Sequence, residues 1–217
     1  MNDAEKASLR AAYSRFLAAD RVLLTGHSHQ AWPDSLRDAM TRFFDDSAEL
    51  VDDKWERAVF PKLAAVGRGV LARMGFDPDD DIAFGKSTHE LVYRLLSCFR
   101  VADKPRIVTT RGEFHSLHRQ LARLAEEGAE VVWVDAHPRE TLASRVLAAI
   151  TDDTSVVALS AVMFEDAFVV PKLGAIAARA AEIAAVPLID AYHAFNVVPI
   201  DWGPAKDALF VTAGGYK

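Results

Sequence analysis

Cysteine is almost absent from this 217-residue sequence, with Cys98 its single representative. One thiol can build neither a disulfide framework nor a thiolate metal site within the chain. In its apolar helical surroundings Cys98 reads as a small buried hydrophobe. Long apolar runs are missing too: none approaches the ~20 residues that a bilayer span requires. Met1 to Arg10 is polar and charged, unlike a secretory leader, so a cytoplasmic protein without a membrane partner is expected. Positive charge is in deficit. The formal net charge is −6, and no Lys/Arg-rich run or interleaved aromatic stripe offers nucleic acid a surface. Internal repeats and low-complexity tracts are also lacking. What remains is an ordinary globular composition, 51% apolar and 26% charged, enough for one sizeable core.

Beyond residue 80, short β-branched runs alternate with helical patterns, which is the signature of βαβ units and a largely sheltered parallel sheet. Strands are expected at Ile82–Phe84, Arg106–Thr109, Glu130–Val134, Ser155–Ser160, Pro187–Asp190 and Ala208–Thr212. Apolar residues at three- and four-residue spacing predict helices at Thr88–Phe99, Ser116–Glu127, Thr141–Ala149 and Leu173–Ala185. The first 75 residues differ: helices are expected at Ala4–Ala19, Asp34–Asp45 and Trp55–Met74, around the irregular stretch Thr25 to Pro33. The turn signal Asp77-Pro-Asp-Asp-Asp81 joins this arm to the α/β part. The sequence stops at Gly214-Gly215-Tyr216-Lys217, directly after a strand-like run, which points to a C-terminally truncated chain.

Four segments carry residues suited to chemistry. Phe84-Gly-Lys-Ser87-Thr88-His-Glu90 places two hydroxyls at a helix start, where they can cap the helix or hold a phosphate. Ser87 with Glu90 also fits a plain capping box, and the Walker spacing is absent. Val186-Pro-Leu-Ile-Asp190-Ala-Tyr-His193 ends a strand in a carboxylate, where α/β sheets bind ligands, although a strand-end Asp can also simply start a turn. Thr212-Ala-Gly-Gly-Tyr216-Lys217 offers a close backbone approach and an amine that could attack a carbonyl if sheltered. Finally, Thr110-Arg-Gly-Glu113-Phe114-His115-Ser-Leu-His118 puts an aromatic at the mouth of the sheet, as a core residue, a helix-start staple or a stacking platform. His115 and His118 lack the Asp, Glu or Cys partners of a zinc or iron site, so no metal is expected.

Taken in order, these segments resemble the cofactor site of class V pyridoxal 5′-phosphate (PLP) enzymes of the aspartate-aminotransferase fold. The Phe-His-Ser-Leu-His-Arg-Gln stretch and the Tyr-Lys pair look most like kynureninases. Cysteine desulfurases of this class generally carry histidine at the stacking position. The resemblance implies the large α/β domain of fold type I, a mostly parallel sheet sandwiched by helices, over residues 76–217. A helical N-terminal arm covers 1–75, and the C-terminal small domain is absent from this chain.

It further implies that Ser87, Thr88 and Tyr216 hold the phosphate, Phe114 stacks on the ring and Asp190 pairs with the ring nitrogen. His193 would sit beside Asp190, Ser160 near the ring hydroxyl, and Lys217 would join the cofactor covalently. Gly26-His27-Ser28-His29 is analogous to the family's substrate loop, making His27, Ser28 and His29 substrate-binding. The expected activity is a kynureninase-type hydrolase acting on an amino acid, as a homodimer. The alternatives are a class V aminotransferase, a cysteine desulfurase or lyase, or a non-catalytic protein of the same fold. Two features depart from the kynureninase pattern: no glycine follows His193 closely, and Gly-His-Ser-His replaces Gly-Asn-Ser.

Overall fold

A computed structural model of the chain describes residues 1–17, 22–26, 30–99 and 103–215. The contacts divide it into two units, Met1–Ile82 and Ala83–Gly215.

The first unit is helical: α1 (Asp3–Ala12), α2 (Ser35–Leu50) and α3 (Phe60–Met74), with a short π-helical turn at Trp55–Val59 leading into α3. Asn2 caps α1 through a reciprocal capping box with Glu5, so the start of this helix follows from local sequence. Its end does not. The apolar spacing predicts a helix to Ala19, yet α1 stops at Ala12. Asp34 takes hydrogen bonds from the Ser14 amide at 3.1 Å and the Ser14 hydroxyl at 2.6 Å. A carboxylate distant in sequence thus holds these groups in a turn. Gly75, in the left-handed conformation, closes α3.

The second unit is an α/β layer structure. Five strands, β1 (Arg106–Thr110), β2 (Glu130–Val134), β3 (Thr154–Ser160), β4 (Val186–Asp190) and β5 (Phe210–Thr212), form one sheet in the order β2-β1-β3-β4-β5. All four pairings are parallel. Helices α4 (Thr88–Leu96) and α5 (His115–Glu126) cover one face. Val92, Leu96, Leu117 and Leu121 pack there on Ile107, Val156, Ala158 and Leu188. Strand alternation turns Val108, Val157, Leu159 and Ile189 the other way, toward α6 (Leu142–Ala149) and α7 (Leu173–Glu182), which contact β1–β2 and β3–β4 respectively. Burial on both faces explains why β3 reads as a nearly continuous apolar run. Each fully buried Leu or Ile contributes about 1.5–3 kcal/mol of hydrophobic stabilisation. The chain leaves β1 for β2 on one side and returns to β3 on the other, so the C-terminal ends of β1 and β3 flank a topological switch point, where such sheets bind ligands.

Several expectations need correction. Ile82–Phe84 is not a strand: no neighbour among the described residues supplies ladder hydrogen bonds, and Ile82 and Phe84 are exposed. An extended apolar run becomes a strand only when another strand pairs with it. Helix α4 ends at Leu96 rather than Phe99, which leaves Cys98 in the following turn, exposed instead of buried. Strand β5 starts at Phe210, because Gly203–Ala208 forms a 3-10 turn. The backbone at Gly203 has φ +65 and lies against Gly174, where an added Cβ would come within 2.7 Å of Gly203 backbone atoms. This contact anchors the lead-in to β5 on the start of α7. Among the described residues no helix is long and apolar enough to cross a membrane.

Candidate active site at the carboxyl ends of the strands

Strand β4 ends on Asp190, which is buried, and its Oδ1 accepts the Tyr192 amide at 2.9 Å. That bond makes the turn that aims Tyr192 and His193 over the end of the sheet. Strand β1 ends on Thr110 and is followed by Glu113 and by Phe114, the N-cap of α5. The Phe114 ring lies 5.7 Å from that of His193, at 65°. The structure therefore brings Phe114, Asp190 and His193 to one edge of the sheet.

A third wall comes from the loop after β3, which the sequence reading passed over. Residues 161–170 fold back through the Val162–Val169 bridge and the bond from the Val170 amide to the Ala161 carbonyl. Buried Arg139 straps this loop to the end of β2. Its Nε donates to Asp166 at 2.9 Å and its Nη1 to the Ala136 carbonyl at 3.1 Å. The loop presents Phe164, whose ring meets Phe114 edge-on at 5.4 Å and His115 at 5.7 Å. In sequence, the signal was an aromatic a few residues past a strand end, too common to single out.

Ser87 caps α4 by accepting the Glu90 amide at 3.3 Å, so the plain capping role is realised. Thr88 is different: its Oγ1 is buried and has no hydrogen-bond partner among the described residues. Such a group costs about 1–3 kcal/mol unless something satisfies it. The first turn of α4 is tied to α5 by Gln120, whose amide donates to the His89 carbonyl at 2.7 Å and contacts His89 Nδ1 at 3.2 Å. This links the helix start carrying Ser87 and Thr88 to the helix that opens with Phe114.

After β5 the backbone runs close to Tyr192. A Cβ on Gly214 would sit 1.9 Å from the Tyr192 ring, so any larger residue there would have to displace that ring. The Tyr192 ring in turn lies 5.8 Å from that of His193. Tyr216 and Lys217 lie outside the described residues, as do His27, Ser28 and His29 of the predicted substrate loop.

The floor at the switch point is a buried carboxyl that the sequence reading named only as a neighbour. Glu113 Oε2 accepts the Ser160 amide at 2.9 Å and the Ser160 hydroxyl at 2.6 Å, and its Oε1 bonds the Thr110 hydroxyl at 2.5 Å. It thereby joins the ends of β1 and β3. Ser160, predicted near a ring hydroxyl, has its own proton committed to Glu113. Burial pushes the Glu113 carboxyl up to about 7, and the like charge of Asp190 adds to that effect, while the Ser160 and Thr110 bonds oppose it. His118 packs against Trp133, with ring centroids 4.6 Å apart. No cluster of three or more metal-ligating side chains gathers among the described residues.

No protein-family model matches the sequence, and no curated protein matches it. Solved structures do match. The cysteine desulfurase CsdA from Escherichia coli superposes with a TM-score of 0.72 at 20% identity, covering 90% of this chain and 50% of that one. SspA in complex with cysteine gives 0.66 at 18%, covering 88% of this chain and 56% of that one. DndA from Streptomyces lividans gives 0.52 at 19%, covering 70% and 46%. The chain thus spans about half the length of the structures it resembles. At these identities the likeness shows the fold alone: an α/β architecture with a parallel sheet flanked by helices.

Proposed function

We propose that this chain forms the cofactor-binding half of a PLP-dependent enzyme acting on an amino acid, with cysteine desulfuration favoured over kynurenine hydrolysis. The observation that carries the reading is the meeting of buried Asp190, Phe114 and His193 at the carboxyl edge of the sheet. The residues present suit the cofactor. The unsatisfied buried hydroxyl of Thr88 lies at a helix N-terminus, where a phosphate oxygen would supply the missing partner. The glycine backbone at Gly214 leaves no side chain between β5 and Tyr192.

In this reading Ser87, Thr88 and Tyr216 hold the phosphate, Phe114 packs on the ring face, and His193 supports Asp190. Asp190 keeps the ring nitrogen protonated, Lys217 provides the covalent attachment and moves protons, and His27, Ser28 and His29 contact substrate. Bound PLP supplies the electron sink that lets bonds at an amino acid's α-carbon break. The desulfurase preference rests on the matched structures, one named a cysteine desulfurase and another holding cysteine. Phe114, in place of the histidine usual in desulfurases, is what speaks for the kynureninase alternative. A homodimer and a cytoplasmic location belong to the same reading.

The test is spectroscopic. Purified chain incubated with PLP should develop a visible absorbance band that borohydride abolishes and that Lys217→Ala lacks. Wild-type chain that stays colourless overturns the proposal. Sulfide release from cysteine, against cleavage of kynurenine, separates the two activities.

A further inference from the structure

The first turn of α4 is shaped by bonds that close within four residues. The Ser87 hydroxyl accepts the Glu90 amide, and the Glu90 carboxylate accepts the Lys86 amide at 2.8 Å. Such bonds form a helix start without fixing where it stands. Farther along, Val92 and Leu96 pack α4 on the sheet, but apolar packing is non-directional. Gln120, 31 residues beyond His89, supplies the direction. It lies on the buried face of α5 beside Leu117 and Leu121, 9% exposed, and its amide nitrogen donates to the His89 carbonyl at 2.7 Å. A carbonyl oxygen only accepts, so the group facing it is the NH2, and the His89 backbone fixes which way the amide lies. The second N–H is left for His89 Nδ1, 3.2 Å away.

The amide adds little to stability. Gln120 Oε1 is buried with no partner among the described residues, and burying an amide oxygen without a donor costs about what the two N–H contacts return. Its neighbours on α4 and α5 are valine and leucine, and methionine, of nearly the same length and volume, would fill the space with no polar atom to satisfy. What glutamine supplies and methionine would not is a directed bond from α5 to one turn of α4. Phe114 caps the same helix, about 9 Å along its axis from Gln120, and Thr88 directly precedes His89.

We propose that Gln120 is a positioning residue: through His89 it sets the separation of the Thr88 hydroxyl from the Phe114 ring, so that one ligand meets both without either having to be ordered on binding. The use of that spacing rests on the cofactor reading above; the bond itself does not.

Nuclear magnetic resonance of the wild-type chain without ligand reads the bond. The Gln120 side-chain NH2 signals, assigned by through-bond connection to their own backbone, should exchange slowly with water and show through-space contacts to the His89 ring. Rapid exchange with no such contact overturns the proposal, whether or not any variant folds. Gln120→Met should unfold at about the same urea concentration as wild type and bind PLP about tenfold more weakly. In that background Thr88→Val should lower the affinity less than it does in wild type, because the hydroxyl is no longer held on the ligand. Visible circular dichroism per bound PLP should fall as well, a signature of ring placement that lost stability alone does not produce. Gln120→Met that binds PLP as wild type does, or losses that simply add, sinks the proposal and leaves the cofactor reading standing. Wild type that binds no PLP sinks the cofactor reading and takes this role with it.

Discussion

Replacing Glu113 by glutamine preserves the shape of the side chain and removes its titration, which makes the stability of Glu113→Gln a quantitative check on the buried acid. The folded-state value of about 7 against an ordinary 4.5 means that the folded chain holds a proton which the unfolded chain releases. Stability linked to that proton is therefore fully present below 4.5 and lost as pH rises through about 7. A shift of this size is worth about 3 kcal/mol in total, most of which falls between about pH 5 and about pH 8. Because the group is almost wholly buried, solvent screening takes little from this figure. Glutamine gives a constant offset, from an amide facing Thr110 instead of a carboxyl, and no slope. Urea unfolding of both proteins across this range should show Glu113→Gln gaining about 2–3 kcal/mol relative to wild type on going to the alkaline end. Groups common to both proteins cancel in the difference. Parallel stability profiles would refute the reasoning, and a difference of opposite sign would mean that Glu113 is ionised in the fold.

Other expectations follow from single contacts. Thr88→Val removes a buried hydroxyl that has no partner among the described residues, so the free chain should melt at the same temperature or slightly higher, while PLP affinity falls by about tenfold, one charge-assisted hydrogen bond. Gly214→Ala drives a methyl into the Tyr192 ring, and should cost about 1–3 kcal/mol in denaturant unfolding and disturb ligand binding more than stability. Leu121→Ala, deep between α5 and the sheet, should cost about 2–5 kcal/mol in the same assay while leaving the carboxyl titration of Glu113 in place. A larger loss of stability from Gly214→Ala than from Leu121→Ala would contradict the view that the first acts at the ligand site.

How far the site was legible depended on how local each signal was. Asp190 and His193 follow a recognisable strand, and Phe114 opens a helix whose periodicity is clear. Ser87 and Thr88 sit at a cap written in four residues. Phe164 and Tyr192 gave no such signal, because their roles come from a loop strapped down by Arg139 and from the Tyr192 ring resting on Gly214. Glu113 was visible as a letter beside Phe114, but its meaning depends on Ser160, which the sheet carries to it from a distant part of the chain.

Alternating β-branched runs and helical spacing were enough to determine the layered parallel α/β architecture, since burial on both faces of a strand and on one stripe of a helix leaves a direct mark on residue order. Three outcomes needed the tertiary structure: the loss of Ile82–Phe84 as a strand, the early end of α1 under Asp34, and the burial that raises the proton affinity of Glu113 at the switch point. Strand pairing, capture of a turn by a remote carboxylate and the proton affinity of a buried acid all depend on neighbours far along the chain, and no local pattern encodes which neighbour arrives.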